Sequence, residues 1–229
     1  MSKLIGIIGA MDIEVDGIVS SMENITTKEI SGIRFAYGTL NGKKVVIAKC
    51  GIGKVFAAIC TQTMILEYHP DVIINTGVAG TLTYKLGVLD VAIAENVVQH
   101  DMDTSAIGDP KGLISGINVI YINANKEVTN AFEAACKELK CNSYVGTIAS
   151  GDKFIAEKSD KANIKECFNA IACEMEGAAV GQVCYVNNVP FGIIRAISDG
   201  DGAEMDYMTF AGKAAEQSIM ITKKFIENF

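Results

Sequence analysis

Four acidic side chains stand just behind apolar runs in this chain: Glu14 after Leu4–Met11, Glu174 and Glu176 after Ala170–Ala172, and Asp199 after Phe191–Ile197. Carboxylates gathered in one cleft accept hydrogen bonds from a polar ligand and give or take protons during a reaction. Residues 170–200 read as strand, helix and strand. The apolar approach leads into a small-residue helix through Ala178, Ala179, Val180 and Val183, which Asn187, Asn188 and Pro190 stop. The buried strand Phe191–Ile197 follows, with Arg195 near its end and Ser198 and Asp199 at it. A right-handed crossover is expected to place both strands in one parallel sheet with their carboxyl ends on one edge, where ligands of open α/β sheets bind. Glu176 and Asp199 would then face one cleft, although each alone also reads as a helix cap or a strand end.

The elements that must position these groups can be read in order. The apolar run Leu4–Met11 reads as a first buried strand, Leu4–Gly9, rather than a secretory signal, because it is short and leads straight to Asp12 and Glu14. A helix from Met11 to about Met22 puts Glu14 in its first turn, with Ile18, Val19 and Met22 inward. Asn41-Gly42 between Ile33–Leu40 and Lys43–Lys49 predicts a hairpin, so the sheet is mixed. Cys50-Gly51-Ile52-Gly53-Lys54 opens a helix to about Tyr68 and lacks the spacing of a nucleoside triphosphate loop. Asp71–Thr76 is a strand ending in Gly77-Val78-Ala79-Gly80, where glycine lets backbone approach a ligand. Leu89–Val97 and Tyr144–Ser150 are further strands. Residues 100–116 form a long loop, of a length that marks function or disorder. The helix Lys126–Leu139 turns Phe132, Ala135, Cys136 and Leu139 to the core, Phe154 in the turn 151–155 is free to stack on a ligand, and a helix from about Asp206 to Asn228 ends the chain.

Composition narrows the function. With 229 residues, 49% of them apolar, the chain can bury a sizeable core, and it has no linker, repeat or low-complexity tract, so one domain over 1–229 is expected. Charges break every apolar stretch before a membrane span is reached. The net charge of −7 and the presence of only two arginines, Arg34 and Arg195, argue against nucleic acid as a partner. Seven cysteines without CxxC spacing suggest buried reduced thiols and a cytoplasmic protein. His69, and His100 beside Asp101 and Asp103, do not compose a metal set, and no cofactor is expected.

Taken together, IGIIGAMDIEV (5–15), CGIGKVFAA (50–58), NTGVAG (75–80), SGDKFI (150–155), EMEGAA (174–179) and RAISD (195–199) resemble the bacterial 5′-methylthioadenosine/S-adenosylhomocysteine nucleosidases of the purine nucleoside phosphorylase superfamily. The pieces lie in order and span nearly the whole chain. The resemblance implies a nucleoside phosphorylase-like α/β fold of three layers, a central mixed twisted sheet flanked by helices, in a homodimer. It implies hydrolysis of the N-glycosidic bond of methylthioadenosine and S-adenosylhomocysteine, with 5′-deoxyadenosine also a substrate, in methionine salvage. Adenine leaves well only when N7 is protonated, and the cationic sugar carbon must meet water. By resemblance Asp199 is the acid at N7, oriented by Ser198, Glu14 is the base for water, and Arg195 stands near both the water and Glu14. A cleft lined by Ile197 and Phe154 is expected to raise the pKa of the acid. Glu176 would take the ribose hydroxyls, with Glu174 beside it. Met11 and Met175 would pack on the sugar, Phe154 would stack on adenine, and Ile155 would bind its edge through backbone. Ile52, Val78, Ala79 and Gly80 complete the substrate site implied by the resemblance.

Three positions depart from that pattern. Val78 replaces a serine that helps to hold the water in many relatives. Tyr207 replaces a phenylalanine over the 5′ pocket, with two residues missing between Asp199 and Tyr207. Ile107 replaces an aromatic that the partner subunit often contributes to that pocket. The rival readings are a phosphorylase using phosphate as nucleophile and a nucleoside-binding protein without catalysis. Phosphate favours arginine clamps, and a carboxylate at Glu14 would repel it.

Overall fold

Apolar runs that alternate with amphipathic stretches build a mixed sheet with helices on both faces. The computed structural model describes residues 3–200 and 203–229. The first half comprises β1 (Leu4–Gly9), α1 (Asp12–Val19), β2 (Glu23–Ile30), β3 (Ile33–Leu40), β4 (Lys43–Lys49), α2 (Lys54–Tyr68), β5 (Val72–Thr81) and β6 (Val91–Gln99). The second comprises β7 (Ile122–Asn123), α3 (Lys126–Glu138), β8 (Ser143–Ser150), α4 (Lys158–Phe168), β9 (Ala170–Glu174), α5 (Gly177–Asn187), β10 (Phe191–Asp199) and α6 (Ala203–Asn228).

The strands lie in the order β10-β6-β8-β9-β5-β1-β4-β3-β2, with β7 on β6. β10 pairs a second time with β5, which closes β10, β6, β8, β9 and β5 into a ring. Ring closure removes the edges of these strands and leaves every residue of β10 buried. α2 and α5 pack together on one face, where Cys60, Met64, Val180 and Cys184 join one core cluster. α1, α3 and α6 cover the other, where Ile18, Phe132 and Phe225 interlock. The expected three-layer α/β fold is therefore present.

The expected parallel relation of the two strands flanking α5 is not. β9 runs parallel to β8 and antiparallel to β5, whereas β10 runs parallel to β5 and antiparallel to β6. Their crossover spans a closed ring and does not join neighbours in an open sheet. The carboxyl ends still converge, because Gly80 of β5 pairs with Cys173 on one side and Asp199 on the other. This convergence rests on a second difference: β5 does not end at Thr76 but continues through Gly77–Gly80, which pair with residues 195–199 of β10. A bulge between Ile197 and Asp199 fits the two strands together there.

Local differences follow from chemistry. α1 stops at Val19, with Met22 buried beyond its end. β2 was not expected, because ENITTKEI is an exposed edge strand without an apolar face. α4 was not expected either, since its polar sequence buries only Lys161, Ile164 and Phe168. Of the cysteines, Cys167 is exposed and Cys141 half-buried, so the expectation of uniformly buried thiols is too broad. No helix among the described residues is long and apolar enough to cross a membrane.

Candidate active site

A cavity of about 420 Å³ opens where the ends of β1, β5, β9 and β10 meet. Of the residues singled out from sequence, Met11, Glu14, Ile52, Val78, Ala79, Gly80, Phe154, Glu174, Met175, Glu176, Ser198, Asp199 and Tyr207 line it. Ile155 borders a small adjoining recess with Phe154 and Asp199. Arg195 lies behind the wall, and Ile107, 82% exposed on a short turn, does not reach this cavity. Ala10, Cys173 and Met208 also contribute to the lining.

Glu14 reaches the cavity because it is the third residue of α1 and its side chain folds back over the end of β1. Its Oε2 accepts from the backbone N–H groups of Ala10 (2.7 Å) and Met11 (2.9 Å), and its Oε1 from that of Val78 (3.0 Å). Gly77 permits this approach, since a Cβ there would collide with Oε1. Burial pushes the pKa of Glu14 up, against the opposing influence of Arg195 and the three N–H donors. Val78 thus supplies its backbone N–H to the carboxylate, while its side chain lines the cavity.

Glu174 and Glu176 stand at the N-terminus of α5. Glu174 Oε2 accepts from the N–H groups of Glu176 (3.1 Å) and Gly177 (2.7 Å), an anion at a helix start. The same oxygen takes Arg195 Nη2, and Oε1 takes the hydroxyl of Ser150, which accepts from Ala178 N–H at 2.7 Å. The acceptors of Glu174 are thus largely occupied from within the fold. Glu176 is less committed: Oε1 accepts from Gly53 N–H at 2.9 Å, and Oε2 lies 3.9 Å from Arg195 Nη2. Burial, reinforced by the neighbouring Glu174 and opposed by Arg195, pushes the Glu176 pKa up to about 8. Arg195 is 1% exposed and also donates to Asn75 Oδ1 and to the Ile194 carbonyl. Its ion-pair partners are Glu174 and Glu176, and it does not line the cavity.

Asp199 closes the opposite wall. Its Oδ1 accepts from the Ser198 hydroxyl at 3.0 Å. Its Oδ2 accepts from Lys161 Nζ at 3.2 Å, and Lys161 also donates to the Gly200 carbonyl at 2.5 Å. Gly80 fits closely against this carboxyl group; a Cβ there would sit 2.7 Å from Oδ2. Ile197, expected in the cleft, points into the core instead, because strand alternation sends it away from the side that Ser198 faces.

The remaining walls are apolar. Phe154 and Tyr207 meet edge to face with centroids 5.5 Å apart, and the Tyr207 hydroxyl lies 3.5 Å from Met11 Sδ. A flat heteroaromatic ring would find a stacking partner in Phe154. Two turns are tied together to hold this wall: Lys54 N–H donates to Asp152 at 2.8 Å, and Lys54 Nζ to Asp101 at 2.6 Å. The shortening noted between Asp199 and Tyr207 includes residues 201 and 202, which lie outside the described residues. Among the described residues no cluster of three or more His, Cys, Asp or Glu is placed to hold a metal ion. His100, expected in a solvated loop, is half-buried, with its Nε2 enclosed and unbonded.

Sequence reasoning missed Lys161, Ser150 and Asn75. Ser150 begins the quoted SGDKFI piece and Asn75 the NTGVAG piece, so both were in view without a role. Lys161 carried no signal, because the polar helix that bears it had no apolar period to mark it.

Residues 4–227 match the model of the phosphorylase superfamily. The chain is 40% identical over 218 residues to a 5′-methylthioadenosine/S-adenosylhomocysteine nucleosidase of Staphylococcus aureus, covering 94% of this chain and 95% of that protein. A Neisseria meningitidis nucleosidase of the same name, solved with methylthio-immucillin-A, superposes with a TM-score of 0.95 at 33% identity, over 99% of this chain and 100% of that one. A Helicobacter pylori futalosine hydrolase superposes with a TM-score of 0.95 at 33% identity, over 100% and 99%. With four carboxylates lining one cavity and this likeness along its whole length, the chain belongs to the phosphorylase superfamily and, within it, to the 5′-methylthioadenosine/S-adenosylhomocysteine nucleosidases.

Proposed function

We propose that this protein hydrolyses the N-glycosidic bond of 5′-methylthioadenosine and S-adenosylhomocysteine, and of 5′-deoxyadenosine, as one catalytic unit over 1–229. Water held against Glu14 attacks C1′ and gives its proton to that carboxylate. The C1′–N9 bond breaks with its electron pair going to adenine, and Asp199 delivers a proton to N7. Glu176 accepts from the ribose hydroxyls, Met11 and Met175 pack on the sugar, and Phe154 stacks on the base with Ile155 at its edge. Arg195 and Glu174 act by holding Glu176 and the start of α5.

The observation that carries hydrolysis over phosphorolysis is the absence of a cation from the lining of the cavity among the described residues, together with the buried Glu14 carboxyl on its water side. A phosphate dianion would enter beside a carboxylate with no guanidinium or ammonium to hold it. Adenine release from methylthioadenosine, assayed without and with phosphate, tests this. Equal rates with free methylthioribose as product are expected, whereas release only with phosphate would make the enzyme a phosphorylase. Because one similar structure is a futalosine hydrolase, the same assay run on aminofutalosine would set the substrate ranking.

We also propose a homodimer in the cytoplasm. α2 presents Val55, Phe56 and Ile59 outward, 69%, 54% and 41% exposed, directly after the turn that carries Ile52 into the site. An apolar patch beside a cavity favours burial against another surface. In the dimer, Ile107 would complete the partner's 5′ pocket.

A further inference from the structure

α4 turns a lysine inward. Its inward stripe is Lys161, Ile164 and Phe168, spaced as one face of a helix, and the latter two pack into an apolar cluster with Ile155 and Cys173. An apolar side chain would be ordinary at the first of these positions. Lys161 is instead 7% exposed. An ammonium withdrawn from water is tolerated only when paired and hydrogen-bonded. Both partners of Lys161 flank one point of the chain: Asp199 Oδ2 at 3.2 Å and the Gly200 carbonyl at 2.5 Å. Among the described residues, the charged and titratable groups around it are Asp199 from β10, Cys173 from β9, whose thiol burial pushes up to about 12 against the pull of Lys161, and Lys158 and Lys165 of α4 itself.

We propose that Lys161 is a positioning residue for the proton donor. It fixes the end of β10 at the Asp199 carboxyl and at the Gly200 carbonyl just after it, and it is the cation that accompanies the carboxylate formed when the proton passes to N7 as C1′–N9 breaks. Ser198 holds one oxygen and Lys161 the other, so the carboxyl group is oriented by two donors from two different elements. A lysine contributes a compact charge here that needs no planar fork.

The proposal rests on Asp199 as the acid, so the test uses two substrates. One is methylthioadenosine, whose leaving base needs a proton. The other is p-nitrophenyl 5-methylthio-β-D-riboside, whose phenolate departs without one. For Lys161→Met, kcat on the nucleoside should fall about 10- to 100-fold with KM changed by no more than about threefold, while the glycoside is hydrolysed at nearly the wild-type rate. Lys161→Arg should recover part of the nucleoside rate. Equal losses on both substrates would reduce Lys161 to a structural role and overturn the proposal. An unchanged nucleoside rate would overturn it as well. Asp199→Asn, run in parallel, separates the two readings. Selective loss on the nucleoside in the Asn variant, beside an unaffected Met variant, removes only the role of Lys161. Equal losses on both substrates in the Asn variant remove the acid assignment and the proposal with it.

Discussion

Arg195 and Glu174 form an ion pair in which both side chains are 2% exposed, with Nη2 of the guanidinium on Oε2 of the carboxylate. Glu174 also receives the first N–H groups of α5, so the pair joins β10 to the helix that follows Glu176. Removing one partner of such a pair leaves the other charge buried and uncompensated. Arg195→Met should therefore lose about 3–5 kcal/mol of stability, read as a lower midpoint in urea. An unchanged midpoint would show that Glu174 finds another partner.

Asp199→Asn keeps the shape of the side chain and removes its proton. Adenine release from methylthioadenosine should fall by about 100- to 10,000-fold, the usual contribution of a general acid. Circular dichroism should remain that of the folded protein. Full activity would end the assignment of Asp199 as the acid.

For Glu14 the pH dependence has a definite sign. Its folded-state pKa lies above its ordinary value of 4.5, so its contribution to stability is present in full below pH 4.5 and is lost as pH rises through the raised folded value. Melting temperatures of wild type and Glu14→Gln, compared from pH 4 to pH 7, should shift in favour of the variant as pH rises. Glu14→Gln should also abolish turnover at every pH, because an amide cannot take the proton of water. A stability difference independent of pH would mean that Glu14 is not the buried titrating group.

Gly80 stands between Cys173 and Asp199, with room for hydrogen only. In Gly80→Ala the added methyl would sit 2.7 Å from Asp199 Oδ2 and displace the carboxyl group. A fall in kcat of about 10-fold or more is expected while the sheet stays intact, since small misplacements of catalytic groups are costly. Wild-type kcat would mean that the strand end yields without moving Asp199.

The outward face of α2 gives the assembly its test. Val55→Asp places a charge in an apolar patch, and sedimentation should show the expected dimer reduced to monomer. KM for methylthioadenosine should rise with that change, because Ile107 would no longer reach a partner's pocket. A variant that stays dimeric would move the interface elsewhere.

Much of this was legible in the amino-acid order, for a physical reason. Buried strands such as Leu4–Gly9 and Phe191–Asp199 are continuous apolar runs, and turns such as Asn41-Gly42 carry their own backbone preference. Acidic residues at the ends of those runs, Glu14, Glu176 and Asp199, were therefore visible as a group, and their chemistry followed from residue type. β2 and α4 were not visible, because an exposed strand and a polar helix have no apolar period to betray them.

Tertiary structure decided what depends on partners far apart in the chain. That β5 runs on past Thr76, closes a ring with β10 and receives both Cys173 and Asp199 at Gly80 is a matter of pairing between distant strands. The division of labour among the carboxylates was decided in the same way. Glu174 is occupied by Arg195, Ser150 and the start of α5, Glu176 keeps acceptor capacity for a ligand, and Asp199 stands against a lysine from a helix that sequence alone left unread. Residue type determines which protons can move, but burial and the neighbours brought by the fold determine which carboxylate moves them.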